Sequence, residues 1–147
     1  MSGIEEAGSL FRGNFNCAQS ILGSFASKYG LDKNIALKIA TGFGGGMGRL
    51  QNTCGAVSGA FMVLGLRYGR GLNDDTETRE KTYQLVREFT DQFQKMHGSI
   101  ICKELLGCDI NTTEGKEYYE KNEFFEKKCF QYVKDSAKIL EDLLLID

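Results

Sequence analysis

Residues 53–69 read TCGAVSGAFMVLGLRYG, and they predict a helix that is apolar on almost every side. Such a helix belongs at the centre of a fold, because no face of it suits water. Thr53 can cap its start and Gly69 can end it. Gly55 and Gly59 stand four residues apart on one face, so another backbone can come close there, within the chain or across a homodimer. We expect the remaining helices to pack around this segment.

Helical spacing of apolar residues recurs along most of the chain, whereas no convincing run of alternating strands is present. Proline is absent, so glycines and capping residues must end the helices. The further predicted helices cover residues 14–30, 32–40, 76–98, 99–107 and 123–145, with a short charged helical stretch before the last of them. We therefore predict an all-α fold, a compact bundle of about five to six helices in a single domain, residues 1–147.

Composition excludes several functional classes. The 147 residues are 41% hydrophobic, which is enough for one core. The net charge of −2 divides into +4 for residues 1–73 and −6 for residues 74–147, so there is no concentrated basic surface and nucleic acid is not an expected partner. The first residues lack the features of a signal peptide, and the most apolar stretch is about half of the roughly 20 residues that span a bilayer. We expect a cytoplasmic protein without membrane contact.

The five cysteines are the residues best suited to chemistry. An odd number of cysteines in a chain expected to be cytoplasmic argues against a disulfide framework, and a buried cysteine usually only fills space. Cys17, Cys102 and Cys129 lie on or beside the apolar faces of predicted helices and should point inward. The cysteines are Cys17, Cys54, Cys102, Cys108 and Cys129.

Cys54 differs from the others, because it falls in the first turn of the predicted central helix. Unpaired N–H groups and the positive end of the helix dipole stabilise a thiolate there, and Arg49 is close in sequence. Cys54 is therefore the predicted nucleophile. Together with Cys17, Cys102 and Cys129 it could form a site for zinc or an iron–sulfur cluster, or a dithiol that cycles with its disulfide. The spacings of 37, 48 and 27 residues contain no C-x-x-C pair, so spacing alone does not establish such a site.

Two other features invite a functional interpretation. The segment Gly42–Gly48, GFGGGMG, fits neither a dinucleotide-binding glycine motif nor a P-loop, so it predicts a tight connection with positive φ that leads to Cys54. A small-molecule site at this loop is a weaker alternative. His97 is the only histidine, at a predicted helix end, where an imidazolium would complement the dipole. One histidine excludes a hydrolase that needs two, and the roles of His97 and Cys108 stay open.

The cysteine motifs resemble a known family. Cys17 in an N-C-A context, GFGGGMGR followed by T-C-G-A-V-S-G-A, Cys102 in CKELLG and a final Cys129 are similar to the redox-active proteins named for their C_GCAxxG_C_C pattern, over roughly residues 14–133. The resemblance implies that Cys17, Cys54, Cys102 and Cys129 are the ligands or redox thiols, and it leaves Cys108 outside the pattern. The family is related to a module of split-Soret-type cytochromes that is associated with an iron–sulfur cluster. Covalent haem is excluded here, because the chain has no C-x-x-C-H site.

The resemblance and the cysteines together predict a redox protein. Its four cysteines would bind an iron–sulfur cluster, or with less support zinc, or would cycle between thiol and disulfide in electron transfer with an unidentified redox partner. Cys54 and Cys17 would be the redox thiols, and whether the protein is an enzyme, an oxidoreductase, stays open. The alternative is a non-catalytic helical protein that works by assembly, as a homodimer, or by partner binding, with cysteines that only fill the core.

Overall fold

The computed structural model describes residues 2–145, and within them the chain forms eight α-helices and no β-strand. The all-α prediction is confirmed, whereas the predicted number of five to six helices is too low. The helices are α1 (Gly3–Arg12), α2 (Cys17–Phe25), α3 (Lys33–Ala40), α4 (Gly55–Tyr68), α5 (Thr76–His97), α6 (Cys102–Leu106), α7 (Thr113–Lys121) and α8 (Phe130–Leu144). Short 3₁₀ turns follow α2 and α3, and one turn of π-helix, Phe125–Cys129, precedes α8.

The helix that the sequence analysis missed is α1. Its N-cap Ser2 accepts a hydrogen bond from the Glu5 N–H, and its buried residues include Ala7 and Phe11. Three glycines in and beside this short segment lower its helix propensity, which is why the pattern did not predict a helix before Asn14. Its stability comes from packing on α2 and α8, which no local pattern encodes.

Capping residues set the other helix ends as physical chemistry predicts. Asn16 caps α2 in a reciprocal pair with Gln19, and α5 begins after Asp75 and ends at Gly98, which has φ 85°. The start of α4 lies one residue later than predicted, since its N-cap is Cys54. The residue predicted for that role, Thr53, forms an isolated antiparallel bridge with Ile101 instead.

Helix α4 lies at the centre, and its glycine face contacts α2 within the same chain. A Cβ atom on Gly55 would lie 2.9 Å from the backbone nitrogen of Ala18 and 3.1 Å from the Cβ of Cys17. A Cβ atom on Gly59 would lie 3.0 Å from the carbonyl oxygen of Ala18. The close approach predicted for these glycines is therefore made between α2 and α4.

Helices α5 and α8 pack on other sides of α4. Ser136 in α8 donates a hydrogen bond of 2.7 Å to the carbonyl oxygen of Ala56, and the Tyr68 hydroxyl donates to the carbonyl oxygen of Leu143. Phe89 of α5 contacts Phe61 of α4 edge to face. Within residues 2–145, no helix is both long and apolar enough to cross a membrane.

The α2–α4 contact gives a test with a control in the same helix. Gly55→Ala should lower the free energy of unfolding by about 1–3 kcal/mol, because the new methyl group meets backbone that cannot move aside freely. Gly65→Ala should raise it by about 0.5–1 kcal/mol, because nothing lies within 4 Å of a Cβ there and alanine is the better helix former. Urea denaturation followed by circular dichroism measures both. Equal effects of the two changes would contradict the contact.

Candidate functional site

One cavity of about 840 Å³ is lined by four of the five cysteines. Cys17 begins α2, Cys54 caps α4, Cys102 begins α6, and Cys129 ends the π-helical turn before α8. All of them are free thiols. The structure thus brings together the four cysteines that the sequence analysis grouped, and Cys108 does not line the cavity.

Cys17 lies between two of the other thiols. Its single S–H hydrogen can be donated to the sulfur of Cys129 or to that of Cys54, and these interactions, with burial, raise the pKa of Cys17 well above its ordinary value. The same bond from Cys17 lowers the pKa of Cys129, and the Tyr119 hydroxyl and the Lys128 ammonium lower it further, against the opposing effect of burial. The cavity therefore holds a protonated thiol beside one that ionises readily.

Tyr119 is a functional residue that the sequence analysis did not identify. Its hydroxyl oxygen lies 3.7 Å from the sulfur of Cys129, and it lines the same cavity. Burial and the neighbouring thiols raise the pKa of Tyr119, so the phenol stays protonated and can donate. The charged sequence around Tyr119 did not indicate a functional role, because the distance to Cys129 depends on how α7 packs beside the π-helical turn.

Cys102 also lines the cavity, and the glycine loop packs against it. Burial, above all, raises the pKa of Cys102 to about 12. A Cβ atom on Gly46, whose φ is +67°, would lie 2.8 Å from the Cβ of Cys102. Five consecutive residues, 45–49, have positive φ, so the predicted tight connection is confirmed. Only glycine allows the backbone to come this close to Cys102.

Gln51 was also missed, and it connects the loop to the segment after α6. It is 3% exposed with φ 58°, an uncommon conformation for a residue that is not glycine. Its amide nitrogen donates to the carbonyl oxygen of Cys108 at 2.9 Å, its amide oxygen accepts from the Ile110 N–H at 3.0 Å, and it bonds the Cys102 thiol. A polar residue after a glycine loop gives no hint of burial, so its role emerges only in three dimensions.

Helix N-termini face the cavity. Cys17 is the first residue of α2 and Cys54 is the N-cap of α4. The first N–H groups of each helix have no intrahelical acceptor, and they form the positive end of the helix dipole. Both cysteines therefore lie at the positive end of a helix dipole, but at Cys17 the hydrogen bonds with neighbouring thiols and burial outweigh this effect and raise the pKa. Negative charge in the cavity, on sulfur or on a ligand, is stabilised from two directions.

His97 and Cys108 lie just outside the cavity. The Nε2 atom of His97 is 2.9 Å from Oδ2 of Asp135, so His97 joins the end of α5 to α8. Its ring contacts that of Tyr132, which lines the cavity. Cys108 packs in a small apolar cluster with Cys102 and other residues. Neither residue takes part in the group of four thiols.

The described residues contain no ready-made site for a single metal ion. Within residues 2–145, no group of three or more histidine, cysteine or acidic residues has a geometry that could hold one.

Comparison with known protein families identifies a family for most of the chain. A family model described as "Putative redox-active protein (C_GCAxxG_C_C)" matches residues 15–143, a range that includes all four cavity cysteines. No curated protein and no solved structure matches the chain.

The contact between Tyr119 and Cys129 gives a testable pH dependence. Tyr119→Phe removes a hydrogen bond that stabilises the Cys129 thiolate, so the pKa of Cys129 should rise. Alkylation of Cys129 by iodoacetamide at neutral pH should slow by about threefold to tenfold, and the difference should vanish above both pKa values. Peptide mass spectrometry measures the rate at Cys129. The control is Tyr118→Phe, at an exposed ring that does not line the cavity, and an equal slowing in that variant would contradict the assignment.

Proposed function

Because the chain belongs to the C_GCAxxG_C_C family of redox-active proteins, we propose that its redox centre is the cavity lined by Cys17, Cys54, Cys102 and Cys129. One observation carries the proposal: these thiols come from four distant parts of the chain and line a single cavity. A cysteine that only fills space needs no thiol neighbours. Here Cys17 interacts with both Cys129 and Cys54, and a disulfide can form only between sulfurs that can approach each other.

Thiol–disulfide exchange is the function that this geometry supports best. Cys129 has the lowered pKa and would act as the nucleophile, while Cys17, in direct contact with it, would be the second thiol. An external disulfide would accept two electrons. The Cys17–Cys129 bond would form, and the two protons of the thiols would leave with the reduced acceptor. Cys54 is the alternative partner of Cys17, since Cys17 also contacts it.

An iron–sulfur cluster is the second candidate, and the number of thiols favours it. Four cysteines are the usual ligand set of such a cluster, whereas one disulfide needs only two. Cys17, Cys54, Cys102 and Cys129 would hold it, and the N-termini of α2 and α4 would offset its negative charge. A bound cluster would supply one-electron transfer. Zinc is the weaker candidate, because zinc has no redox chemistry and the described residues contain no ready-made site for a single metal ion.

Assembly or partner binding is the rival from a different class. In that case the cysteines would only fill the core, and the glycine face of α4 would be free to meet a second copy. That face contacts α2 instead, so the sequence feature that favoured a tight homodimer contact is already used within the chain.

The thiol mechanism is tested by mapping the disulfide. The reduced protein, oxidised in a glutathione redox buffer, should yield a Cys17–Cys129 disulfide by peptide mass spectrometry. Cys17→Ser should abolish the two-electron oxidation of the protein to its disulfide, because Cys17 is one partner in both of the contacts between thiols. Cys108→Ser should leave it unchanged, because Cys108 does not line the cavity. If the two-electron oxidation persists in Cys17→Ser, or is lost in Cys108→Ser, the assignment of the disulfide to Cys17 and Cys129 is wrong.

The cluster mechanism is tested by purification without oxygen, with assays of iron, sulfide and zinc and a visible spectrum. A bound cluster should give matching iron and sulfide contents, and Cys102→Ser should lower both while Cys108→Ser does not. A colourless protein without metal would reject the cluster and leave the thiol mechanism. If its thiols also failed to oxidise reversibly, both mechanisms would be wrong.

A further inference from the structure

The cavity has room for more than the four thiols. Its volume of about 840 Å³ lies within the range of about 300–1,000 Å³ that is usual for small-molecule sites. The thiols and aromatic rings form part of its wall, and exposed polar side chains complete it. The charged residues of its lining are Arg49, Lys116 and Glu120.

The two cations of this lining have no partner of their own. Within residues 2–145, neither the Arg49 guanidinium nor the Lys116 ammonium makes a side-chain hydrogen bond or an ion pair, although other exposed lysines pair with carboxylates, such as Lys33 with Glu6 at 2.7 Å. Among the residues that the structure describes, Glu120 is the only acidic one in the lining. The lining therefore carries a local positive charge on a chain whose net charge is −2.

We propose that this cavity binds a small disulfide that bears carboxylates, with Arg49 and Lys116 holding the carboxylates and the thiols facing the disulfide bond. This proposal rests on the thiol–disulfide function proposed above. Three properties of the cavity support this proposal: its size fits a small molecule, its charged lining favours an anion, and thiols are the groups that react with a disulfide. Glu120 suits the ammonium group of an amino-acid or peptide disulfide.

One turnover oxidises two protein thiols and reduces one substrate disulfide. The Cys129 thiolate attacks one sulfur of the bound disulfide, so that a mixed disulfide forms and the first substrate thiolate leaves and takes up a proton from water. Cys17 then loses its proton to water and attacks the sulfur of Cys129. The Cys17–Cys129 bond forms, the mixed disulfide breaks, and the second substrate thiolate leaves and is protonated. The protein loses two electrons and the substrate becomes two thiols.

Three disulfides that differ in charge test the proposal on the reduced full chain. Glutathione disulfide carries carboxylates, hydroxyethyl disulfide is neutral, and cystamine is cationic. Lys116→Gln and Arg49→Asn should each slow the reaction with glutathione disulfide by about twofold to fivefold, as is usual for the loss of one exposed charge contact. Asparagine is chosen because Arg49 has φ 64° and asparagine tolerates that conformation. The reaction with hydroxyethyl disulfide should not change, and that with cystamine should speed up.

A matched control is a lysine at the C-terminal end of α7, the helix that contains Lys116. Lys121→Gln removes an exposed lysine from α7 that does not line the cavity, and it should change none of the three rates. Equal effects of Lys116→Gln on the neutral and the carboxylate-bearing disulfide, or no effect on either, would overturn the substrate class alone. A wild-type protein that reacts with none of the three would overturn the thiol–disulfide function as well.

Discussion

The fold and the site both depend on the close contact between α2 and α4. Gly55 lies against the backbone of Ala18 because it has no side chain, and this same approach places the first residue of α2, Cys17, next to the N-cap of α4, Cys54. The contact is buried and central, so the spacing between the two thiols is set by core packing. A change that separates the helices must also open the core, which couples the geometry of the redox site to the stability of the protein.

Cys102 is held near this pair by a loop whose backbone conformation is energetically costly. Met47, Arg49 and Gln51 have positive φ, and each non-glycine residue in that region costs on the order of 1–3 kcal/mol. Hydrogen bonds between Gln51 and the segment 108–110, and the fit of Gly46 against Cys102, offset this cost. Strain held in this way next to reactive groups is typical of functional sites, which supports a functional interpretation of the loop.

The features predicted correctly are those that depend on residues close together in the sequence, such as helix caps and helical periodicity. The long helix from Thr76 to Gly98 follows from its caps and its periodicity, and the role of Gly55 follows from four-residue spacing in an apolar helix. The grouping of the cysteines needed the family resemblance, because residues 27 to 48 positions apart carry no local signal. Tyr119 and Gln51 were not predictable, since each acts through a neighbour that only tertiary packing brings close.

Charge explains why two mechanisms fit one cavity. Burial and mutual hydrogen bonding raise the pKa values of Cys17 and Cys102, so these thiols are neutral near pH 7 when nothing is bound. Four thiolates together would repel one another in a buried site. That repulsion is removed when two sulfurs join in a disulfide, or when iron cations neutralise all four. The disulfide takes protons from two thiols, whereas the cluster takes them from all four, so the number of protons that the protein loses differs between the two mechanisms.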